Sequence, residues 1–412
     1  MKWIVIGENK GKVALVSKKG VDGMLPKGSF LTVEQDGLKF ILRVDSSSQE
    51  DIYAPHPLVV DMDLTPLTQD RYSKNLIYAY RVFDIGDRSD GLIDYIKPLS
   101  KARRSSQEEV NLALDNLKKG PRVFIATVQY DKNQLLFDDS GKYITATLPH
   151  DMFFHQMLIS GKTGSGKTVA MKYLSQYFVE EFNGAVLAIN VKDVDLLKMD
   201  KKSKAQDTSI EKEWKVLNTK PHGVDNFIIY YPANVEISPT KGVNKNIAKK
   251  ITLDVKTINP ESLSGLLQNI SDIGAMNLPD IFRNWQENMM NQNNKDIFKF
   301  SEFLNYFRLG QENKYTYSTM NTRGEKSEVI LHKGTYDNVL RNLNTSAVFF
   351  DDPRGEVIDE TDILQRGKFT VIDVAAENGI QFGSVLLRQL LSNIVSAKSE
   401  QRSKIPVLIV ID

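Results

Sequence analysis

The stretch HQMLISGKTGSGKT, His155 to Thr168, constrains this chain more than any other. Within it, Gly161, Lys162, Thr163, Gly164, Ser165, Gly166, Lys167 and Thr168 satisfy GxxxxGK[ST]. A loop that wraps a β-phosphate tightly leaves no room for a Cβ, and its backbone N–H groups must converge, hence the glycines. Lys167 then brings a cation to the β and γ oxygens. Thr168 offers its hydroxyl to Mg²⁺, and a following helix would aim its positive end at the phosphates. The expected cofactors are therefore ATP and Mg²⁺.

The flanks fit that reading. Upstream, the apolar run MFFHQMLIS reads as a strand leading into Gly161. Downstream, VAMKYLSQYFVEEF places Ala170, Met171, Leu174, Tyr177, Phe178 and Phe182 on one helical face. AVLAINV, NFIIYYP, KFTVIDV and PVLIVID are apolar on both faces, as in parallel strands covered by helices. FGSVLLRQLLSNIVSA supplies a helix between the last two.

A P-loop site also uses an acid at the end of an apolar strand, which holds Mg²⁺ through water. Asp373 in FTVIDV and Asp412 in PVLIVID are the candidates. Asp412 is preferred, as a metal-side and catalytic residue, because an unbroken apolar run ends on it. Asp373 reads as a strand-end acid that orders a neighbouring loop.

Before the P-loop, WIVIGE, GKVALVS, SFLTVEQ, LKFILRVDS and NLIYAYRVFDI alternate between turn signals, which suggests a small β-barrel over residues 1–100. The basic, Ser-rich stretch that follows reads as a linker and helix over 101–120, with SQEEV as the helix start. Residues 121–412 form the nucleotide-binding core, and the DSGK turn near its start marks a hairpin. Between 244 and 346 the signals turn helical, in NPESLSGLLQNISDI, LPDIFRNWQENMM, FSEFLNYFRL and TYDNVLRNLN. That stretch is too long for an ordinary crossover and reads as an inserted helical bundle. The expected fold class is α/β: a P-loop domain with a mostly parallel sheet and a helical-bundle insertion, preceded by a small N-terminal β-barrel.

Composition narrows the chemistry. There is no cysteine, and the five histidines lack metal-binding spacing. Thiol catalysis and cysteine metal sites are thereby excluded. The apolar runs are far shorter than a membrane span, so no membrane partner and a cytoplasmic location are expected. Formal net charge is +1 across 412 residues, so any polyanion must be met by a local patch. KARR at 101–104, KNIAKK at 245–250 and KKSK at 201–204 are candidates, although solvated surface or linker charge is the plainer reading of each.

HQMLISGKTGSGKT, with a histidine six residues before the first loop glycine, resembles the signature of the HerA/FtsK superfamily of ring ATPases, and its HerA branch in particular. The opening strands resemble the barrel that precedes the motor in that branch, and the stretch 244–346 resembles its helical insertion. GKFTVIDVAAENGIQFGSVLLRQLLSNIVSA is similar to the segment before its second ATP motif. The resemblance implies a RecA-like motor core, a hexameric homo-oligomer and translocation of double-stranded DNA. It also implies a nuclease or other effector docked on the barrel. A nucleotide-gated ring scaffold that regulates an effector without pumping DNA is the alternative.

Two departures from the family pattern follow. Asn190 stands where relatives often carry an acid, and Asp193 or Asp195 are the residues available to compensate. The family also expects a catalytic Glu after Asp412, then a sensor strand and an arginine finger. The expectation is that a longer protein carries them.

Overall fold

The computed structural model describes residues 3–9, 11–18, 24–50, 74–86, 95–114, 120–131, 134–138, 140–192, 194, 196–204, 208–237, 242–267, 272–291, 298–375 and 379–411. The chain forms two compact units, Met1–Met157 and Leu158–Asp412.

The first unit is built on strands β1 (Trp3–Asn9), β2 (Lys12–Lys18), β3 (Phe30–Gln35), β4 (Leu38–Glu50), β5 (Lys74–Ile85) and β6 (Lys101–Arg104). They close into a barrel in the order β1-β2-β5-β4-β3-β6, every pairing antiparallel. Alternation decides which residues fill it: Val5, Val13, Leu15, Val33, Phe40, Leu42, Ile77 and Ala79 are inside. The β3–β4 turn is the pair Asp36 and Gly37, both with positive φ, as a twist-matched two-residue hairpin requires.

The sixth strand corrects an expectation. Lys101–Arg104 lies in the stretch read as a linker, yet it closes the barrel between β1 and β3. Its only apolar residue is Ala102, so its strand character comes from its neighbours' ladders rather than from its own pattern. Helix α1 (Gln107–Leu114) follows. Ser106 and Glu109 cap it reciprocally: the Ser106 N–H donates to Glu109 Oε2 at 2.9 Å and the Glu109 N–H to Ser106 Oγ at 3.3 Å. The unit ends with β7 (Arg122–Thr127), β8 (Gln129–Asp131), β9 (Gln134–Leu135) and β10 (Thr145–Pro149), in which β10 pairs with β7 and β9 with β8.

In the second unit come α2 (Lys167–Glu181), β11 (Ala185–Asn190), α3 (Thr208–Val216), β12 (Phe227–Pro232) and β13 (Ala248–Ile251). Then follow α4 (Asp272–Asn291), α5 (Phe300–Leu309), β14 (Thr316–Met320), β15 (Lys326–Ile330), α6 (Lys333–Ser346) and α7 (Glu360–Ile363). The unit closes with β16 (Phe369–Asp373), α8 (Gly379–Ser399) and β17 (Val407–Ile411). Five strands form an all-parallel sheet, β13-β12-β16-β11-β17. The central β11 and β16 are buried along their whole length, as their unbroken apolar runs foretell.

The inserted stretch differs from an all-helical bundle in three ways. Ala248–Ile251 joins the main sheet as β13, β14 and β15 form a hairpin, and Pro260–Leu266 is a 3₁₀ turn capped by Asn259. Its aromatic residues do not form a core of their own. Phe282, Trp285, Phe300, Phe303 and Phe307 share one cluster with Leu187 and Ile189 of β11, Ile372 of β16 and Phe382 of α8. Phe300 stacks on Phe350 at 3.9 Å between centroids, and Phe307 on Tyr336 at 5.5 Å.

Candidate nucleotide site

Helix α2 and strand β11 are consecutive, joined by a short turn through Asn183 and Gly184. A 15-residue helix spans about 22 Å and a six-residue strand about 20 Å, so the strand returns the chain to the level where the helix began. The P-loop at the start of α2 therefore lies at the sheet's carboxyl edge, with the end of β11. Parallel neighbours bring β16 and β17 to the same edge: Asn190 stands opposite Asp373, and Ile189 opposite Ile411. Open parallel sheets bind their ligands at this edge.

The loop has the shape its residues predict. Gly164 and Gly166 have φ of 79° and 87°. A Cβ on Gly161 would come 2.5 Å from Ser165 Oγ. The Ser165 N–H donates to the Lys162 carbonyl at 3.2 Å, folding the loop back on itself. Lys167 Nζ donates to the same carbonyl at 3.0 Å, holding the ammonium over the loop. Gly161 to Gly166 are exposed, while Lys167 and Thr168 are half-buried at the first turn of α2. That turn has no acidic residue, so the helix's positive end is uncompensated and suited to an anion.

Leu174 and Phe178 of the expected α2 face are buried, with Ala170, Met171, Tyr177 and Phe182 partly so. The lead-in departs from expectation. His150–Phe154 is a 3₁₀ turn, residues 155–160 adopt no strand, and Leu158 is 92% exposed. Five sheet strands pair among themselves without this run, and an extended segment without ladder partners is not a strand. His155 is exposed; its N–H closes the 3₁₀ turn onto the Met152 carbonyl at 3.2 Å.

Mg²⁺ fits the donor set in one way. Among the described residues no group of three or more His, Asp or Glu could cage a metal. The ion would come with the nucleotide, held by phosphate oxygens, waters and the Thr168 hydroxyl. Asp412, Asp193 and Asp195 lie outside the described residues.

Asp373, the other acid considered, is 6% exposed and Asn190 is 1% exposed. Asn190 Nδ2 donates to Asp373 Oδ1 at 2.8 Å and to the Lys192 carbonyl at 2.6 Å, while its Oδ1 accepts the Leu196 N–H at 3.2 Å. The Ala375 N–H reaches Asp373 Oδ1 at 3.3 Å. Both strand ends and the loop after β11 are thus tied through one amide. This role of Asn190 escapes a reading by residue type, which sees only a missing acid. Its visible signal is a polar residue closing a buried apolar strand.

The family described as "Helicase HerA, central domain" matches residues 138–394, more than half of the chain. No curated protein matches the chain.

Proposed function

The chain belongs to the HerA helicase central-domain family, and from that premise we propose that it is a P-loop ATPase motor that assembles as a hexameric ring and translocates duplex DNA. The single observation that carries the reading is the cradle Gly161–Thr168 at the carboxyl edge of a parallel sheet, inside the matched region.

ATP would lie along the loop with its β and γ oxygens against Lys167 and the N-terminal end of α2. Lys167 would leave the Lys162 carbonyl for the phosphates, where a full negative charge offers a stronger partner. Thr168 would contribute its hydroxyl to Mg²⁺, which would supply positive charge to offset that of the phosphates. Asp412 is assigned the outer side of the metal, through water. A nuclease or other effector is assigned to the barrel. No helix among the described residues is long and apolar enough to cross a membrane.

The test is ATP turnover by the complete protein with and without duplex DNA, beside Lys167→Ala and a native mass measurement. The reading expects DNA-stimulated hydrolysis, its loss in the variant and a six-copy mass. Turnover indifferent to DNA would remove the translocase and leave the ATPase. Binding without turnover would favour the nucleotide-gated scaffold.

A further inference from the structure

The last turns of α2 meet the loop that leads into β12 at the amino side of the parallel sheet, at the opposite end of α2 from the P-loop. His222 of that loop carries the contact. Its Nε2 lies 2.8 Å from Glu180 Oε1 on α2, and its Nδ1 lies 3.1 Å from the Lys220 carbonyl. Both ring nitrogens thus face an oxygen that can only accept. A neutral imidazole has one N–H, so either tautomer would set a lone pair against one of the two oxygens. Only the imidazolium donates to both.

The surroundings make this more than an isolated surface pair. Gln176 Nε2 donates to Glu180 Oε1 at 2.8 Å and to the His222 carbonyl at 3.4 Å, so two residues of α2, one turn apart, hold the loop. The next residue, Gly223, passes so close to the segment before α3 that a Cβ would lie 2.1 Å from the Asp200 carbonyl oxygen. The Val224 N–H then bonds the Met199 carbonyl at 2.8 Å. That segment is itself anchored, since Leu196 and Leu197 are fully buried and the Leu196 N–H reaches Asn190 at the end of β11. The other charged groups around the ring are Asp225 on its own loop, Glu181 beside Glu180 on α2, and Asp200 and Lys201, whose backbone abuts Gly223. Asp225 acts on the ring in the same direction as Glu180.

We propose that His222 is a proton-operated clasp that fastens the loop at residues 220–224 to the far end of the helix carrying the P-loop. With the proton on, the ring bridges α2 and the Lys220 carbonyl. With it off, the carboxylate keeps the remaining N–H as the stronger acceptor, and the carbonyl is let go. The loop then loosens without detaching, because Gln176 and the Val224 bond to Met199 do not titrate. The Lys220 carbonyl and Glu180 raise the proton affinity of the clasped ring above its ordinary value, so the clasp is tight at low pH and slackens as pH rises through the clasped value. The His222 side chain is 61% exposed and that of Glu180 37%, so the effect is graded, on the scale of a solvated ion pair. The clasp involves neither nucleotide nor DNA and is independent of the motor reading.

The experiment is amide hydrogen exchange of the complete protein, read by mass spectrometry at pH 6 and pH 8 and corrected for the intrinsic change of exchange rate with pH. Peptides covering residues 217–225 report the loop, and a peptide over β16 is the reference. In wild type, protection of the loop is expected to fall about two- to fivefold from pH 6 to pH 8, the range of an exposed ion pair, while β16 holds steady. His222→Gln is expected to show equal protection of the loop at the two pH values, and Glu180→Gln a smaller fall than wild type. No fall in wild type, an equal fall in His222→Gln, or a matching fall in β16 overturns the clasp. If His222→Gln strips the loop of protection at both pH values, Glu180→Gln decides, because it leaves the ring in place: an undiminished fall there overturns the clasp as well.

Discussion

The side-chain amide of Asn190 donates to the carboxylate of Asp373 across two neighbouring parallel strands, at 2.8 Å and nearly out of contact with water. Only an amide serves here, since the same side chain must donate to Asp373 and Lys192 and accept from Leu196.

Asn190→Asp would set two carboxylates against each other in a buried site, and one would hold a proton well above the ordinary carboxylate range. The folded state would then bind more protons than the unfolded state at neutral pH, so stability should fall as pH rises. Chemical denaturation between pH 5 and 8 should show the variant losing stability relative to wild type towards the alkaline end. Parallel curves for the two proteins would refute it. Asn190→Ala should cost about 2 kcal/mol, because it strands buried polar partners.

Gly161→Ala and Lys167→Ala should separate the cradle from the fold. The first pushes a methyl towards Ser165, and the second removes the cation. Gly161 lies in the loop and Lys167 is the first residue of α2, and neither belongs to the core, so melting should shift little. Affinity for labelled ATP should drop about ten- to a hundredfold in Lys167→Ala, the scale of one charge-assisted hydrogen bond. Equal affinity would show that the phosphates lie elsewhere.

Glu109 fastens α1 to the barrel. Burial pushes its carboxyl up, but Arg103, the Ser106 N–H and the Thr32 hydroxyl outweigh that and hold it at about 2. A carboxylate depressed below its unfolded value contributes stability above about pH 4, and that contribution fades as pH falls towards 2. Glu109→Gln should therefore destabilise the first unit by about 2 kcal/mol at pH 7, and the difference from wild type should shrink in acid. Denaturation followed at pH 7 and pH 3 checks this; a gap of equal size at both would argue against the ion pair.

His222 links the loop before β12 to α2. Its Nε2 lies 2.8 Å from Glu180 Oε1, and its Nδ1 lies 3.1 Å from the Lys220 carbonyl. The Lys220 carbonyl, joined by Glu180, raises the imidazole above its usual value against the opposing effect of burial. Any stability from the charged pair is present at low pH and lost as pH rises through the folded value. NMR titration should place His222 above 6.5, and Glu180→Gln should lower it. An unmoved titration would mean that the carboxylate does not hold the proton.

What could be read in advance follows physical lines. The P-loop was legible because its chemistry demands particular residues at fixed spacing, and the start of α1 because Ser106 and Glu109 are a local signal. The barrel strands and β11, β12 and β16 were legible because burial on one or both faces writes a period, whereas β17, read as covered on both faces, is an edge strand in which only Val410 is buried. Where shape comes from distant partners, the pattern is silent. Lys101–Arg104 is a strand only because β1 and β3 flank it. Thr316–Met320 and Lys326–Ile330 are too polar to advertise a hairpin. Leu158 and Ile159 looked like strand residues because they are apolar, yet no ladder receives them. Asn190 was read by its type when its meaning lay in the strand beside it.

The aromatic cluster that joins Phe282, Phe303 and Phe307 to Ile189 and Ile372 has a consequence for the architecture. The inserted stretch is upholstery for the sheet rather than a passenger on it. Cutting it out and splicing the ends would strip much of the cover from one face of β11 and β16 and leave α8 to shield it, so the nucleotide-binding core would not survive as a minimal version of itself. Any force transmitted into those helices is delivered to the strands they clothe, and the two must travel as one piece.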